Sequence, residues 1–237
     1  MLQLNVRRIN LKNAVNLREL GGYMRQDGKI TKYNQFLRSG NPSMLDPSEI
    51  EFLLNYGLKT VIDLRNTNEL TKEKSVFNGF EGVNYFHMPL FDADSVNINS
   101  TPESLGELYV DLFNHSTNFG NIFNTIAKNS EGTILFNCTA GKDRTGLIAA
   151  MLLMLANVDE CDIVADYQVS FTYFFKQAYQ KTLEVHPNMP MHFAFSNPEW
   201  IENIMDLIAQ QYGDIEGYLL SRGATKENLE KVKNKLI

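Results

Sequence analysis

The chain has 237 residues, 43% of them apolar, with 22 Lys and Arg against 28 Asp and Glu for a net charge of −6. That balance fits an ordinary globular domain and argues against a nucleic-acid partner, which would call for a basic excess. Two cysteines, Cys138 and Cys161, are too few for a disulfide framework or a cysteine-rich zinc site, and His87, His115, His186 and His192 show no metal-ligand spacing.

No apolar stretch reaches the ~18 residues of a membrane span, and the N-terminus has no signal-peptide core. The expectation is a single domain over 1–237 without metal or cofactor. Sparse thiols fit a cytoplasmic setting, unless a leader has been removed.

In chain order, Asp27-Gly28 between Tyr23 and Ile30 reads as a hairpin turn, and FLRS at 36–39 as a strand. In DPSEIEFLLNYG, Asp46 fits an N-cap, Pro47 the first helical position and Glu49 the reciprocal cap, with Gly57 as the stop. KTVIDL at 59–64 and VNYFHM at 83–88 are short strands, the second ended by Pro89. Residues 103–129 pattern as helix, with Gly120 as an interruption, and TILFNC at 133–138 is the next strand.

The helix from Thr145 to about Asn157 has ten apolar residues in the twelve up to Ala156, so it belongs at the centre. The stretch 158–212 is helical, broken near Pro187 and Pro190 and restarting at Glu199, and is read as a lid-like insertion. Its FTYFF run at 171–175 either packs inside or covers a pocket. DIEGYLLSRG and TKENLEKVKNKLI, the latter capped by Thr225, close the chain. Strands alternating with helices imply an α/β fold with a central, mainly parallel sheet flanked by helices.

The chemistry concentrates in NCTAGKDRTG, Asn137 to Gly146, between a strand and the greasiest helix. Amides at a helix N-terminus lack internal partners, and the peptide dipoles put partial positive charge there. A turn wrapped at that place can enclose an anion in a nest of N–H groups. A thiol in that field is stabilised as thiolate, hence a nucleophile near neutral pH. Arg144 stands six positions after Cys138, and its planar fork can grip two oxygens of a tetrahedral dianion. A nucleotide-binding P-loop is a poor match, because Asp143 follows Gly141-Lys142 where a Ser or Thr is required.

CTAGKDRTG resembles the signature loop of the atypical bacterial protein-tyrosine/serine phosphatases, some of which also act on phosphoinositides. NLRELGG at 16–22, RSG at 38–40 and DLR at 63–65 extend the resemblance in order. It implies that Cys138 attacks phosphorus to form a phosphocysteine, and that Arg144 binds the phosphate. The backbone of Thr139, Ala140, Gly141, Lys142, Asp143 and Arg144 would hold a phosphate or sulfate, and Thr145 would donate to the sulfur. The implied substrates are phosphotyrosine proteins or peptides, with phosphoserine, phosphothreonine or phosphoinositides as further ones, and no metal takes part. Asn137 departs from the usual histidine; it can donate a hydrogen bond but carries no charge, so a weaker bias toward thiolate is expected.

Asp63, at a strand end, is the first expectation for the general acid, with Asp92 and Asp143 as alternatives and Asp94 a weaker form of Asp92. Asp143 equally suits a role orienting Arg144 or Lys142. Lys142 is either a solvated side chain or a second cation for polyanionic substrates. Arg18, Arg38 and Arg65 line the site or form structural ion pairs. Cys161 is read as inert rather than as a disulfide partner of Cys138. Two other readings stay open: a phosphate-binding pseudophosphatase, suggested by Asn137, and a rhodanese or arsenate-reductase-like enzyme.

Overall fold

The computed structural model describes residues 5–91, 102–116, 118–185, 187 and 191–237. Its sheet runs β1 (Arg18–Glu19), β2 (Phe36–Ser39), β5 (Thr133–Asn137), β3 (Leu58–Asp63), β4 (Asn84–His87) in spatial order. β1 pairs antiparallel with β2, and every other pairing is parallel. Register sets Ser39 beside Asn137, Asn137 beside Asp63, and Asp63 beside His87. Four parallel strands therefore end together, along the edge where ligands bind in such sheets.

The central strands β5 and β3 are buried along their length except at Lys59, because both faces of the sheet are covered there. Pleating sends Phe36, Ile62, Ile134 and Phe136 into the larger core and Leu37, Val61 and Leu135 into a smaller one. The smaller core packs under α1 (Pro47–Tyr56), whose Asp46–Glu49 capping box and left-handed Gly57 stop are as read from the sequence. A short helix, α2 (Thr67–Lys72), follows β3 and opens with a second capping box between Asn66 and Glu69. The larger core holds α3 (Pro102–His115), α4 (Asn118–Lys128) and α5 (Asp143–Leu155). It also takes faces of α6 (Glu160–Phe174), α8 (Pro198–Tyr212), α9 (Ile215–Ser221) and α10 (Lys226–Leu236). α5 is buried all round except at Asp143 and Met154, as its composition required. Thr225 caps α10 by accepting from the Asn228 amide, and the Asp27-Gly28 turn closes between bridged Met24 and Ile30. Among the described residues no helix is long and apolar enough to cross a membrane.

Three boundaries differ from expectation. α5 begins at Asp143, two residues before Thr145, so more of the motif lies on the helix. The long helical stretch divides around Ser116, not at Gly120, which sits inside α4. There a Cβ would lie 2.1 Å from the Arg222 carbonyl oxygen, so the glycine marks close backbone approach. Much of 158–212 belongs to the body, since α6 and α8 bury Ile163, Tyr167, Ile201 and Ile204 in the main core.

The part lying over the loop is narrower. It comprises the end of α6, a π-helical turn (Phe175–Tyr179), α7 (Gln180–Val185) and a 3-10 turn (Met191–Ala194). Pro190 lies outside the described residues. The FTYFF run enters neither main core. Phe174 packs with Tyr179 and Ala194, with Phe171, Phe175, Val15 and Ala140 around them, so the aromatics cover one flank of the loop.

Gly120→Ala separates propensity from packing. Alanine would favour an exposed helix by about 1 kcal/mol, but the Arg222 carbonyl leaves no room for the methyl. Urea unfolding is expected to show a net loss of about 1–3 kcal/mol, as for overpacked interiors.

Candidate active site

Cys138 follows β5 directly, is buried, and packs with the larger core. The chain then curls over it as 139–142 and enters α5 at Asp143. Gly141 has φ of +67°, and a Cβ there would stand 2.4 Å from the Ser39 carbonyl carbon. The loop thus lies directly on the backbone of the RSG block, and only glycine fits that contact.

The loop carbonyls are held from outside. The Asn41 amide donates to Thr139 O at 3.0 Å. Asn16 Nδ2 donates to Ala140 O at 3.2 Å and to Gly141 O at 2.8 Å. Arg38 Nη2 adds a bond to Gly141 O at 2.9 Å. In a trans peptide the N–H points opposite to the C=O, and the described chain has no cis bond. The amides of Ala140, Gly141 and Lys142 therefore turn toward the other side, and none has an acceptor among the described residues. These three amides are the donors that the motif's anion-binding reading calls on.

The outer clamps are anchored on Asp166 of α6. It accepts from Arg18 Nε and Tyr23 Oη, each at 2.8 Å, and from Arg38 Nη1. Burial pushes the Asp166 carboxyl up, but the charges of Arg18 and Arg38 hold it well below the usual carboxylate range. Arg18 and Arg38 are thus structural, inside a buried cluster behind the loop.

Arg144 lies in the first turn of α5. Its Nη1 and Nη2 meet Glu69 Oε2 and Oε1 at 2.6 and 2.8 Å, and Nη2 also reaches Thr139 Oγ1 at 3.3 Å. Phe91 lies 4.8 Å from the guanidinium carbon. Burial lowers Arg144's hold on its proton, but Glu69, Cys138 and Asp143 together raise it above its ordinary value, so it stays charged. Nε has no partner among the described residues, which leaves that edge of the fork open.

Glu69 was missed by the sequence reading. It doubles as the capping partner of Asn66 in α2, a signal that could have located it but not its target. Burial by itself raises the Glu69 carboxyl; bonds and charge from Arg144, with Thr139 and the Asn66 amide, outweigh that and bring it from 4.5 to about 2.

Asp63 does not meet the expectation of a general acid. It is 0% exposed, and Arg65 grips it through Nε at 2.9 Å and Nη2 at 2.7 Å. The Arg65 amide and Tyr85 Oη take its remaining acceptor positions at 3.1 and 2.9 Å. A carboxylate so enclosed fixes the end of β3 and has no face to offer a substrate. Asp92 and Asp94 lie outside the described residues. Asp143 keeps a side chain 33% exposed at the head of α5, with Oδ1 taking a bond from Tyr109 Oη at 2.7 Å.

Lys142 is neither solvated nor turned to substrate. Its Nζ is buried and donates to Phe193 O and Phe195 O, both at 2.6 Å, bolting the segment around the 3-10 turn to the loop. Thr145 Oγ1 is buried without a partner among the described residues, the Cys138 sulfur included. Both polar atoms of the Asn137 side chain are likewise unpartnered, and the pleat sets that side chain on the Leu135 face, away from Phe136. Cys161 is exposed and in no disulfide, and a hydrogen bond to Asp159 together with that residue's charge raises its thiol.

Two substitutions test the scaffold. Asp166→Asn leaves two buried guanidiniums poorly paired and is expected to cost about 3–5 kcal/mol in chemical denaturation, with activity falling in parallel. Glu69→Gln frees the Arg144 fork and is expected to lower kcat/KM by about 10- to 100-fold, the scale of a misplaced clamp. Since folded Glu69 holds its proton more weakly than the unfolded chain, its pairing stabilises the fold above about pH 4.5. The difference in melting temperature between parent and Glu69→Gln should shrink as pH falls from 4.5 towards 2.

Comparison with known proteins gives the family. The profile of the tyrosine phosphatase family matches residues 9–237. A tyrosine-protein phosphatase from Nostoc commune is 31% identical over 217 residues, which cover 85% of this chain and 74% of that protein. A relative from Cupriavidus necator is 29% identical over 162 residues, covering 64% of this chain and 59% of its own length. The crystal structure of P. aeruginosa TpbA is a distant likeness, 17% identical with a TM-score of 0.36, covering 73% of this chain and 92% of that one. The family profile runs through the loop, the blocks that pin it and the C-terminal helices, and the chain belongs to the tyrosine phosphatase family.

Proposed function

We propose that this tyrosine phosphatase hydrolyses phosphate monoesters through a phosphocysteine on Cys138, with phosphotyrosine in proteins or peptides as its substrate. The observation that supports the reading is the capture of the Thr139, Ala140 and Gly141 carbonyls from outside, which leaves the following amides available to an anion beside Arg144. A phosphate entering there meets those amides, the α5 N-terminus and the open edge of Arg144.

The Cys138 sulfur uses its electron pair to form the S–P bond while the bond from phosphorus to the leaving oxygen breaks. That oxygen keeps the bonding pair and takes a proton from Asp143, which replaces Asp63 in this role on the grounds of exposure and partners. Asp143 then accepts a proton from water as it attacks phosphorus, and the S–P pair returns to sulfur as thiolate. Thr145, whose buried hydroxyl has no partner among the described residues, is suited to donate to that sulfur as it leaves.

Phosphoinositides, which the resemblance also implies, find no second free cation in Lys142, whose Nζ is committed to the Phe193 and Phe195 carbonyls. Phosphoserine and phosphothreonine depend more on the proton donor, since their alkoxides are poor leaving groups. A cytoplasmic setting belongs to this reading on the strength of the sparse thiols.

The test is hydrolysis of p-nitrophenyl phosphate and a phosphotyrosine peptide without added metal. Cys138→Ser is expected to remove on the order of 10⁴-fold or more of the turnover while retaining phosphate binding. Turnover that survives Cys138→Ser overturns the covalent route. Phosphate binding by the parent without turnover would instead establish the pseudophosphatase reading suggested by Asn137.

A further inference from the structure

We infer that Tyr109, backed by Tyr167, is a positioning residue for the proton transfer: it holds Asp143 Oδ1 so that Oδ2 carries the proton to the leaving oxygen. The inference rests on the assignment of Asp143 as the donor and names what makes that carboxyl usable.

Neither tyrosine belongs to the loop motif. Tyr109 comes from α3 and Tyr167 from α6, and both are buried. Tyr109 Oη donates to Asp143 Oδ1 at 2.7 Å, so the oxygen of that hydroxyl accepts from Tyr167 Oη, 2.6 Å away. The direction of the chain is therefore fixed from Tyr167 through Tyr109 to the carboxylate.

The rings are held as firmly as the hydroxyls. Tyr167 lies edge-on to Tyr109 at 6.0 Å and 83°. Its ring fills a slot that Gly146 leaves open, where a Cβ would stand 2.9 Å from the ring edge. Trp200 covers Tyr109 at 5.9 Å, and Lys142 Nζ sits 5.7 Å from the Trp200 ring centre. Burial and the Asp143 charge push both phenols well above their ordinary range, so they remain donors.

An aspartate needs such support because its terminal torsion is soft and roughly two-fold. Unheld, the two oxygens exchange, and the protonated one points at the substrate only part of the time. In this site Oδ1 is taken by Tyr109, with Lys142 Nζ at 3.3 Å, while Oδ2 has no partner among the described residues. The groups facing Asp143 are Tyr109 from α3, Tyr167 from α6, and Lys142 and Arg144 beside it in the loop and α5. Of the two hydroxyls in the chain, only that of Tyr109 touches the carboxylate directly.

The test compares kcat/KM along aryl phosphates of increasingly poor leaving group, from p-nitrophenyl to phenyl phosphate. kcat/KM reads the steps through cysteine phosphorylation and excludes the later role of Asp143 as base. Asp143→Asn is expected to steepen the dependence, losing about 100-fold on phenyl phosphate. Tyr109→Phe, isosteric and checked by thermal melt, is expected to lose about tenfold on phenyl phosphate and less than about twofold on p-nitrophenyl phosphate. Tyr167→Phe should shift the slope the same way by less, and it decides the matter if Tyr109→Phe does not fold.

An equal loss on every substrate, or no loss, overturns the positioning role. A flat series in Asp143→Asn sinks the donor assignment itself. A steep series in Asp143→Asn with a parent-like slope in Tyr109→Phe removes only the inference about the tyrosine.

Discussion

A trans peptide unit cannot send its carbonyl one way without sending its amide the other. The site depends on that constraint. No residue in the loop can by itself choose where its amides face; that choice is made by whatever captures the carbonyls. Here Asn16, Arg38 and the Asn41 amide capture them from behind, and Asn16 adopts a left-handed φ of 60° while doing so. Blocks about a hundred residues upstream of the loop thus belong to the same device. A cup built from main-chain donors also needs no reorganisation when charge spreads over the phosphoryl oxygens.

Holding the clamps in place requires a polar cluster in the interior. Burying Arg18, Arg38 and Asp166 is costly, and an apolar set of the same volume would often be as stable. The cluster is tolerable because its donors are nearly saturated. Arg18 spends its Nε on Asp166, its Nη1 on Asn16, and its Nη2 on the Asp166 carbonyl and Ser170. Such a network contributes geometry more than stability: Arg38 cannot leave the Gly141 carbonyl without breaking its pair with Asp166. The unpartnered Asn137 amide is the counter-example, a buried polar group for which the described residues supply no partner.

What could be read from the sequence follows the range of the interactions. The α1 capping box, the buried helix α5, the parallel strands and the Cys138–Arg144 spacing are local patterns, and each was legible. Glu69 against Arg144, Asp166 against Arg38, and Tyr109 against Asp143 join residues 34 to 128 positions apart. No periodicity or spacing rule reaches across such gaps. Asp63 shows the reverse error: its place at a strand end was read correctly, but its neighbour Arg65 folds back and consumes it. Gly120 was misread for a similar reason, since the backbone that requires a glycine there belongs to Arg222.

The cations of this region are already engaged before any substrate arrives. Arg18 and Arg38 share Asp166, Arg65 holds Asp63, Lys142 is spent on carbonyls, and Arg144 is bound to Glu69. A protein of net charge −6 therefore does not capture a phosphate dianion by a broad positive surface. On the proposed mechanism, selection falls instead to short-range, directed donors: the amides behind the pinned carbonyls and one edge of a guanidinium whose other edge is occupied. Directed donors favour the shape of a phosphoryl group over charge alone, and they hold the product phosphate less tightly than an unpaired cluster of cations would. Glu69 then has two effects of opposite sign. It weakens the long-range pull of Arg144 on an anion, and it fixes the plane of the fork that the proposed mechanism uses. In a solvent that screens charge beyond about 8 Å, the first effect is small and the second is not.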